Sequence, residues 1–286
     1  MTDKSNPYQV PDTGHVWDDN LRELANPPPR WWMLAFWASI LWVVGYSILY
    51  PTWPLINGYT KGIMGWTQIK EYQDGLAEVQ TIRAPFEDKI AQISPKEILA
   101  NPDLTAYTNA AAKVLFGDNC AACHGGGGQG NPGFPVLADD DWLYGGTIGT
   151  IQQTITNGRK GMMIAHGKTL SSAEIDTLAS YVAGLSEGKD DPAGKALFTA
   201  KGCIACHGPD GKGMQALGSA NLTDSIWRFT PGGVDSARYT IIHGVNDPSD
   251  PQTRAAEMPA FGNRLSETAI KKLAVYVYTL GGGQPD

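Results

Sequence analysis

Cysteine and histidine are scarce in this chain, four and five residues among 286. Four cysteines are too few to staple a small disulfide scaffold of the secreted kind. A basic surplus is missing as well: 22 Lys and Arg face 29 Asp and Glu, a net charge of −7. Binding nucleic acid phosphates needs a clustered basic surface, so that class is set aside. No Ser/His/Asp constellation stands out, and the carboxylate run Asp139-Asp140-Asp141 reads as a solvated loop face. The Gly125–Gly128 run does not follow a strand, as a phosphate-cradling loop must. Glycine (34) and proline (19) are abundant, which predicts a loop-rich architecture short of disorder.

Mean hydropathy, −0.24, is that of an ordinary soluble protein, yet one stretch lacks charge altogether. Trp31 to Tyr50 reads WWMLAFWASILWVVGYSILY, twenty residues without a charged side chain. As a helix it would be about 30 Å long, the thickness of a bilayer's hydrocarbon core. Trp31, Trp32, Tyr50 and Trp53 stand at its two ends, where amphipathic rings favour the headgroup region. Arg30 precedes it, and Pro51 and Pro54 oppose further helix. A mostly polar segment comes first and no small-residue cleavage site comes after, so a permanent span is expected rather than a cleaved leader. Flanking charge is balanced, Arg22 and Arg30 against Lys61 and Lys70, and leaves the orientation undecided.

The four cysteines fall in two identical frames, Cys120-Ala-Ala-Cys123-His124 and Cys203-Ile-Ala-Cys206-His207. The C-x-x-C-H string is the attachment signature of c-type haem. Two thiols on one turn form thioethers to the porphyrin edge, and the adjacent histidine reaches the iron. A zinc site built from the four thiols would leave the histidine after each pair unexplained. A thioredoxin-like pair needs a βαβ context, which the pattern does not provide.

The residues beyond each motif repeat as well. Met163-Ile-Ala-His166-Gly167 comes after the first and Met258-Pro-Ala-Phe261-Gly262 after the second. The motifs are offset by 83 residues and these segments by 95, so the second copy carries twelve extra residues between them. Ile175, Leu178, Tyr181, Val182 and Leu185 match Ile270, Leu273, Tyr276, Val277 and Leu280 at the larger offset. Their spacing marks an amphipathic helix with one buried face, and Ser171 with Glu174 forms a capping box at the first one's start. Leu137, Asp139 and Trp142 recur as Leu222, Asp224 and Trp227. The chain contains an internal duplication.

Helix, C-x-x-C-H, Gly/Pro-rich loop, methionine, terminal helix: this order resembles the class I cytochrome c fold. The resemblance implies a mainly α chain, one N-terminal transmembrane helix followed by two tandem class I cytochrome c domains. The expected layout is an arm (1–30), an anchor (31–54), a helical connector (55–104) and cytochrome domains at 105–188 and 189–286. It implies two haem c groups, with Cys120, Cys123, Cys203 and Cys206 as thioether thiols. His124 and His207 would be the proximal ligands, and Met163 and Met258 would complete the irons. Met162 is adjacent, but only Met163 aligns with Met258. His166, at the position of Phe261, and His243, near that of Asn157, are competing imidazoles. The repeat leaves open whether each methionine serves its own or the neighbouring domain's haem.

A haem with His and Met ligands has no open position for substrate, so the expected chemistry is single-electron transfer. Covalent haem c attachment takes place outside the bacterial cytoplasmic membrane, which puts residues after 60 in the periplasm and 1–30 in the cytoplasm. Residues from 61 onward carry 19 Lys and Arg against 24 Asp and Glu; this either steers a basic donor or is merely dispersed charge. Ile69, Leu76, Val79, Ile82 and Phe86 recur near helical spacing, and Ser94-Pro95-Lys96-Glu97 is a helix start. The connector is therefore expected to be helical and to pack along a partner subunit, unlike a flexible tether.

The arm narrows the family. His15-Val-Trp17-Asp18-Asp19-Asn20, then Asn26-Pro27-Pro28-Pro29-Arg30-Trp31-Trp32, one span, and a Tyr50-Pro51 exit accompany the two C-x-x-C-H units. Over nearly the whole chain this resembles subunit III (CcoP/FixP type) of cbb3-type cytochrome c oxidase. Pro28 stands where that pattern has leucine, and Ile164 where a proline comes after the methionine. The resemblance implies an electron-transfer subunit with no catalytic site of its own. It would take electrons from a soluble cytochrome c and pass them through both haems to a monohaem subunit and a haem–copper subunit that reduces oxygen. The implied location is the bacterial cytoplasmic membrane. The alternatives are a membrane-anchored dihaem cytochrome serving a periplasmic dehydrogenase, and a dihaem peroxidase, which needs a five-coordinate haem.

Overall fold

The computed structural model describes residues 12–285, so the first eleven residues of the expected arm lie outside the described residues. It divides into two units, Met1–Ile82 and Arg83–Asp286.

In the first unit, β1 (Asp12–Trp17) and β2 (Leu21–Leu24) form an antiparallel hairpin with Trp17 opposite Leu21. Asp18 and Asp19 make its turn with positive φ of 44° and 64°, a conformation that short polar side chains tolerate. The arm read as polar is thus a small ribbon; its turn lacks the usual Asn-Gly signal. The apolar run forms α1 (Arg30–Leu49), ended by extended Tyr50 before Pro51. None of its apolar length is buried, so every side of the helix suits lipid. Beyond it, β3 (Pro54–Leu55) and β4 (Gly58–Tyr59) form a short hairpin. The chain then returns to the helix end, where Ile63 N–H donates to Ile48 O (3.0 Å) and Met64 N–H to Leu49 O (3.2 Å). These bonds satisfy carbonyls that a helix end leaves orphaned.

The division between the units falls within α2 (Gln68–Gln92), whose Pro85 removes one backbone donor. Ile69, Tyr72, Leu76 and Val79 form an apolar stripe on α2, 40% to 70% exposed.

The second unit continues with α3 (Pro95–Leu99), α4 (Pro102–Asn119), α5 (Ala121–His124), α6 (Ile148–Asn157) and α7 (Ser172–Leu185). It ends with α8 (Pro192–Ala200), α9 (Ile204–His207), α10 (Gly233–His243) and α11 (Glu267–Tyr278). The predicted capping box of Ser171 with Glu174 opens α7, and the helix start read at Ser94 proves to be a second box, Ser94 with Glu97, opening α3.

Two apolar cores emerge, and neither follows the expected domain boundary. The first joins Phe116 of α4, Ile148, Ile151 and Ile155 of α6, and Leu273 and Val275 of α11. Ile90 and Ile98, at the end of the expected connector, are fully buried in it. The second joins Ile175 and Leu178 of α7, Phe198 of α8, and Ala237 and Ile241 of α10. The expected border at 188/189 separates α7 from α8, yet those helices pack on each other. The chain builds the first body through Arg159, makes the whole second body, and returns at Met258 to complete the first. The second body is inserted in the first, and the two copies have exchanged their C-terminal thirds. The physical reason is the short connection between Leu185 and Pro192, which favours an antiparallel α7–α8 pair. One ring pair is accordingly built twice, Phe116–Tyr276 at 5.3 Å and Phe198–Tyr181 at 5.5 Å between centroids.

Two depressed carboxylates fasten these bodies. Glu87 accepts from Lys272 Nζ (2.7 and 2.9 Å) and from Tyr107 Oη (2.7 Å). Burial pushes its pKa up, but those bonds outweigh it and hold the group below the usual carboxylate range. Glu174 is lowered to about 2 by its bond to Lys201 and by the Ser171 cap. A folded pKa below the unfolded one gives stability that is present above the unfolded value, 4.5, and lost as pH falls through the folded one. Acid titration of the folded chain should therefore show a loss of stability on descending from about 4.5 toward 2. Glu87→Gln and Glu174→Gln should each flatten that slope in denaturant melts; unchanged slopes would remove these pairs from the acid response.

Candidate functional site

Each C-x-x-C-H motif occupies a single helical turn at the end of a longer helix. Cys120 caps α4, and α5 closes at Gly125 with φ 76°; Cys203 opens α9, which closes at Gly208 with the same φ. Only glycine takes this left-handed φ without strain. Cys120 and Cys203 are half-buried, whereas Cys123 and Cys206 are exposed. Each motif therefore presents one thiol toward its core and one toward solvent.

The two histidines are held alike. His124 Nδ1 faces the Pro135 carbonyl at 2.9 Å, and His207 Nδ1 faces that of Ala220 at 3.1 Å. A carbonyl oxygen only accepts, so each Nδ1 carries the proton and each Nε2 keeps a free lone pair. Burial lowers both pKa values, against the opposing carbonyl bonds, and favours the neutral imidazole that a metal requires. Neither carbonyl partner was legible in the sequence, because any backbone oxygen of the long loops could have served.

The methionines are tied into the structure by the same junction, used twice. Met258 exchanges backbone hydrogen bonds with Arg159, just after α6 (2.9 and 2.8 Å), and Met163 does so with Val245, just after α10 (2.9 and 2.9 Å). Phe261 N–H donates to Ile155 O (3.0 Å) as His166 N–H donates to Ile241 O (2.9 Å). Gly158 and Gly244 both have φ +67°, and a Cβ on either would collide with the carbonyl oxygen of Met258 or Met163 respectively. Met258 packs on the first core, which Cys120 and Ala121 also touch. Met163 packs on the second, with Cys203 and Ile204. Met258 thus lies in the body that carries the first C-x-x-C-H motif and Met163 in the body that carries the second.

The competitors are placed differently. Met162 is 65% exposed while Met163 is half-buried. His243 Nδ1 pairs with Asp250 Oδ2 at 3.1 Å and its ring packs on Tyr239. His166 is half-buried, whereas its counterpart Phe261 is buried in the first core. Asp141 of the carboxylate run is not solvated: it bonds Arg228 at 2.6 Å, both side chains 19% exposed, and links the two bodies. Among the described residues, no group of three or more His, Cys, Asp or Glu is placed to hold a bare metal ion.

Each body thus offers the donor set of a c-type haem: two thiols on one turn, an imidazole with Nε2 free, and a thioether on the same core. A further feature fits that group. Arg254 stacks on Phe229 and Tyr239 (4.5 and 4.7 Å), beside the Met163–Val245 ladder, and its Nε is buried without an acceptor. A carboxylate such as a haem propionate would satisfy that donor.

Comparison with known proteins extends this pattern. The family described as the N-terminal domain of cytochrome oxidase-cbb3, FixP, matches residues 9–57. The family of cytochrome c oxidase, cbb3-type, subunit III matches residues 108–182 and 189–277. The chain is 47% identical to the cbb3-type cytochrome c oxidase subunit FixP of Azorhizobium caulinodans, over 95% of this chain and 93% of that protein. It is 44% identical to the FixP subunit of Bradyrhizobium sp. (strain ORS 278), over 95% of each. To the CcoP subunit of Cereibacter sphaeroides it is 39% identical, over 98% of each.

Proposed function

Because the chain belongs to the family of subunit III of cbb3-type cytochrome c oxidases, membrane-anchored dihaem cytochromes of the FixP and CcoP type, we propose the path its electrons take. They enter from a soluble cytochrome c, cross both haem bodies, and leave toward the monohaem and haem–copper subunits. The subunit transfers electrons and has no catalytic site of its own. A haem c held by histidine and methionine supplies one-electron exchange at a potential raised by the thioether.

The chain's own residues do the holding. Cys120 and Cys123 would hold one haem covalently, with His124 and Met258 as the side chains that bind its iron. Cys203 and Cys206 would hold the other, with His207 and Met163. The Pro135 and Ala220 carbonyls orient the imidazoles. The Asp141–Arg228 pair keeps the two bodies adjacent, which short-range electron exchange between them requires. The arm is cytoplasmic, α1 crosses the membrane once, and the haem bodies are periplasmic, where c haem is attached. The exposed stripe from Ile69 to Val79 on α2 suits a neighbouring subunit of the oxidase.

The observation that carries this reading is the repeated pairing of a carbonyl-oriented histidine with a methionine on one core. It predicts two covalent haems per 30.7 kDa chain. Pyridine haemochrome assay of the purified full chain should find two in the native protein and one after Cys203→Ser with Cys206→Ser. A native count of one would overturn the dihaem assignment.

A further inference from the structure

The loop between α10 and Met258 holds most of the residues by which the second copy exceeds the first, and its first residues reach both methionine segments. Asn246 is held in the left-handed region, φ 51°, by its own N–H, which donates to Arg254 O at 2.8 Å. Its Nδ2 donates to Gly161 O at 2.7 Å and to Ala256 O at 2.7 Å. Its Oδ1 accepts from Ala256 N–H at 3.0 Å. Gly161 lies two residues before Met163, and Ala256 two residues before Met258. A single amide therefore grips equivalent points on the two strands that lead to the two methionines.

We propose that Asn246 is a positioning residue that couples methionine ligation at the two haems. The inference rests on the reading of Met163 and Met258 as axial ligands. An amide suits the task because it alone among short side chains offers two donors and an acceptor, and asparagine tolerates positive φ better than most residues. The next residue acts on one side only. Asp247, buried, accepts from Ala165 N–H at 2.7 Å, two residues after Met163, and makes no bond to the Met258 segment among the described residues. In the crossed fold, the strands gripped by Asn246 run toward different bodies. Loosening this one side chain frees both methionines, although each haem's other ligands are untouched.

The test uses the full chain with both haems attached, solubilised in detergent. Asn246→Gly keeps the backbone conformation and removes the side chain. Asn246→Asp keeps the shape but sets a carboxylate against two carbonyl oxygens. Ferric haem with a methionine ligand gives one shifted methionine-methyl NMR resonance per haem, and imidazole competes for the iron. Both variants should weaken both resonances and raise the apparent imidazole affinity at both haems by about tenfold, the factor expected for losing one to two hydrogen bonds. Asp247→Ala should affect only the resonance that Met163→Leu removes. Retained far-ultraviolet circular dichroism identifies variants that are folded. If the Asn246 variants left both resonances intact, or altered only one, the coupling would be refuted. If Met163→Leu and Met258→Leu left both resonances in place, the axial reading itself would fail, and the clamp with it.

Discussion

In a chain whose Cys120 and Cys123 are serine, so that only the second motif carries haem, Met163→Leu is expected to abolish the methionine–iron charge-transfer band. Met258→Leu in the same background should leave the band intact. Met163 packs with Cys203 and Ile204 on the second core, and its backbone is locked to Val245 at the end of α10. Met258 belongs to the first motif's core, where it packs with Cys120 and Ala121. The swap to leucine conserves volume and should cost the fold less than about 1.5 kcal/mol, so a lost band reports ligation rather than unfolding. The potential of the remaining haem should fall with the band, because methionine raises it relative to other ligands. The reciprocal chain, with Cys203 and Cys206 as serine, should respond to Met258→Leu and ignore Met163→Leu. The opposite pattern would restore contiguous domains and refute the exchange.

Gly244→Ala is the second large effect expected. At φ +67° an added Cβ is strained by about 1–2 kcal/mol. Here it would also run into the backbone carbonyl of Met163, and backbone cannot rotate aside as a side-chain end can; overpacking of that kind costs about 1–3 kcal/mol more. The sum, about 2–5 kcal/mol, is a large fraction of the roughly 5–15 kcal/mol that stabilises a native domain. Denaturant melts should record it. Relief of the strain by moving Met163 outward should also raise external-ligand binding at the haem of Cys203 and Cys206, with the other haem little changed. Gly158→Ala is the mirror experiment through Met258. Equal stability of either variant and the native chain would mean the junction is looser than its paired hydrogen bonds indicate.

Much of this molecule could be read before its fold. The charge-free run became α1, within one residue of its expected ends. Both capping boxes formed where Ser and Glu stand three apart. The apolar positions of α7 and α11 are the ones buried, Leu178 and Leu273 among them. The C-x-x-C-H frames sit on their single turns. These features are local: hydrophobic period, cap chemistry and adjacent ligands act within a few residues of chain.

Other features could not be read. The hairpin at Asp18 and Asp19 rests on two positive φ values that many sequences avoid. Asp141, read as solvent-facing, found Arg228 across the gap between bodies. Asn246 looks like any loop asparagine until Gly161 and Ala256 are brought to it. Each depends on what arrives from far along the chain.

The sequence by itself determined that this protein has one membrane anchor, two c-haem motifs and a duplicated set of helices, each with its buried face. Tertiary structure decided which copy each terminal helix serves. The reason lies in the duplication: segments 163–188 and 258–283 carry the same apolar spacing, so spacing alone assigns neither segment to a core. Side-chain pattern cannot choose between equivalent partners. Chain connectivity does, through the short α7–α8 connection and the longer loop from Asn246 to Met258 that returns the chain to the first body.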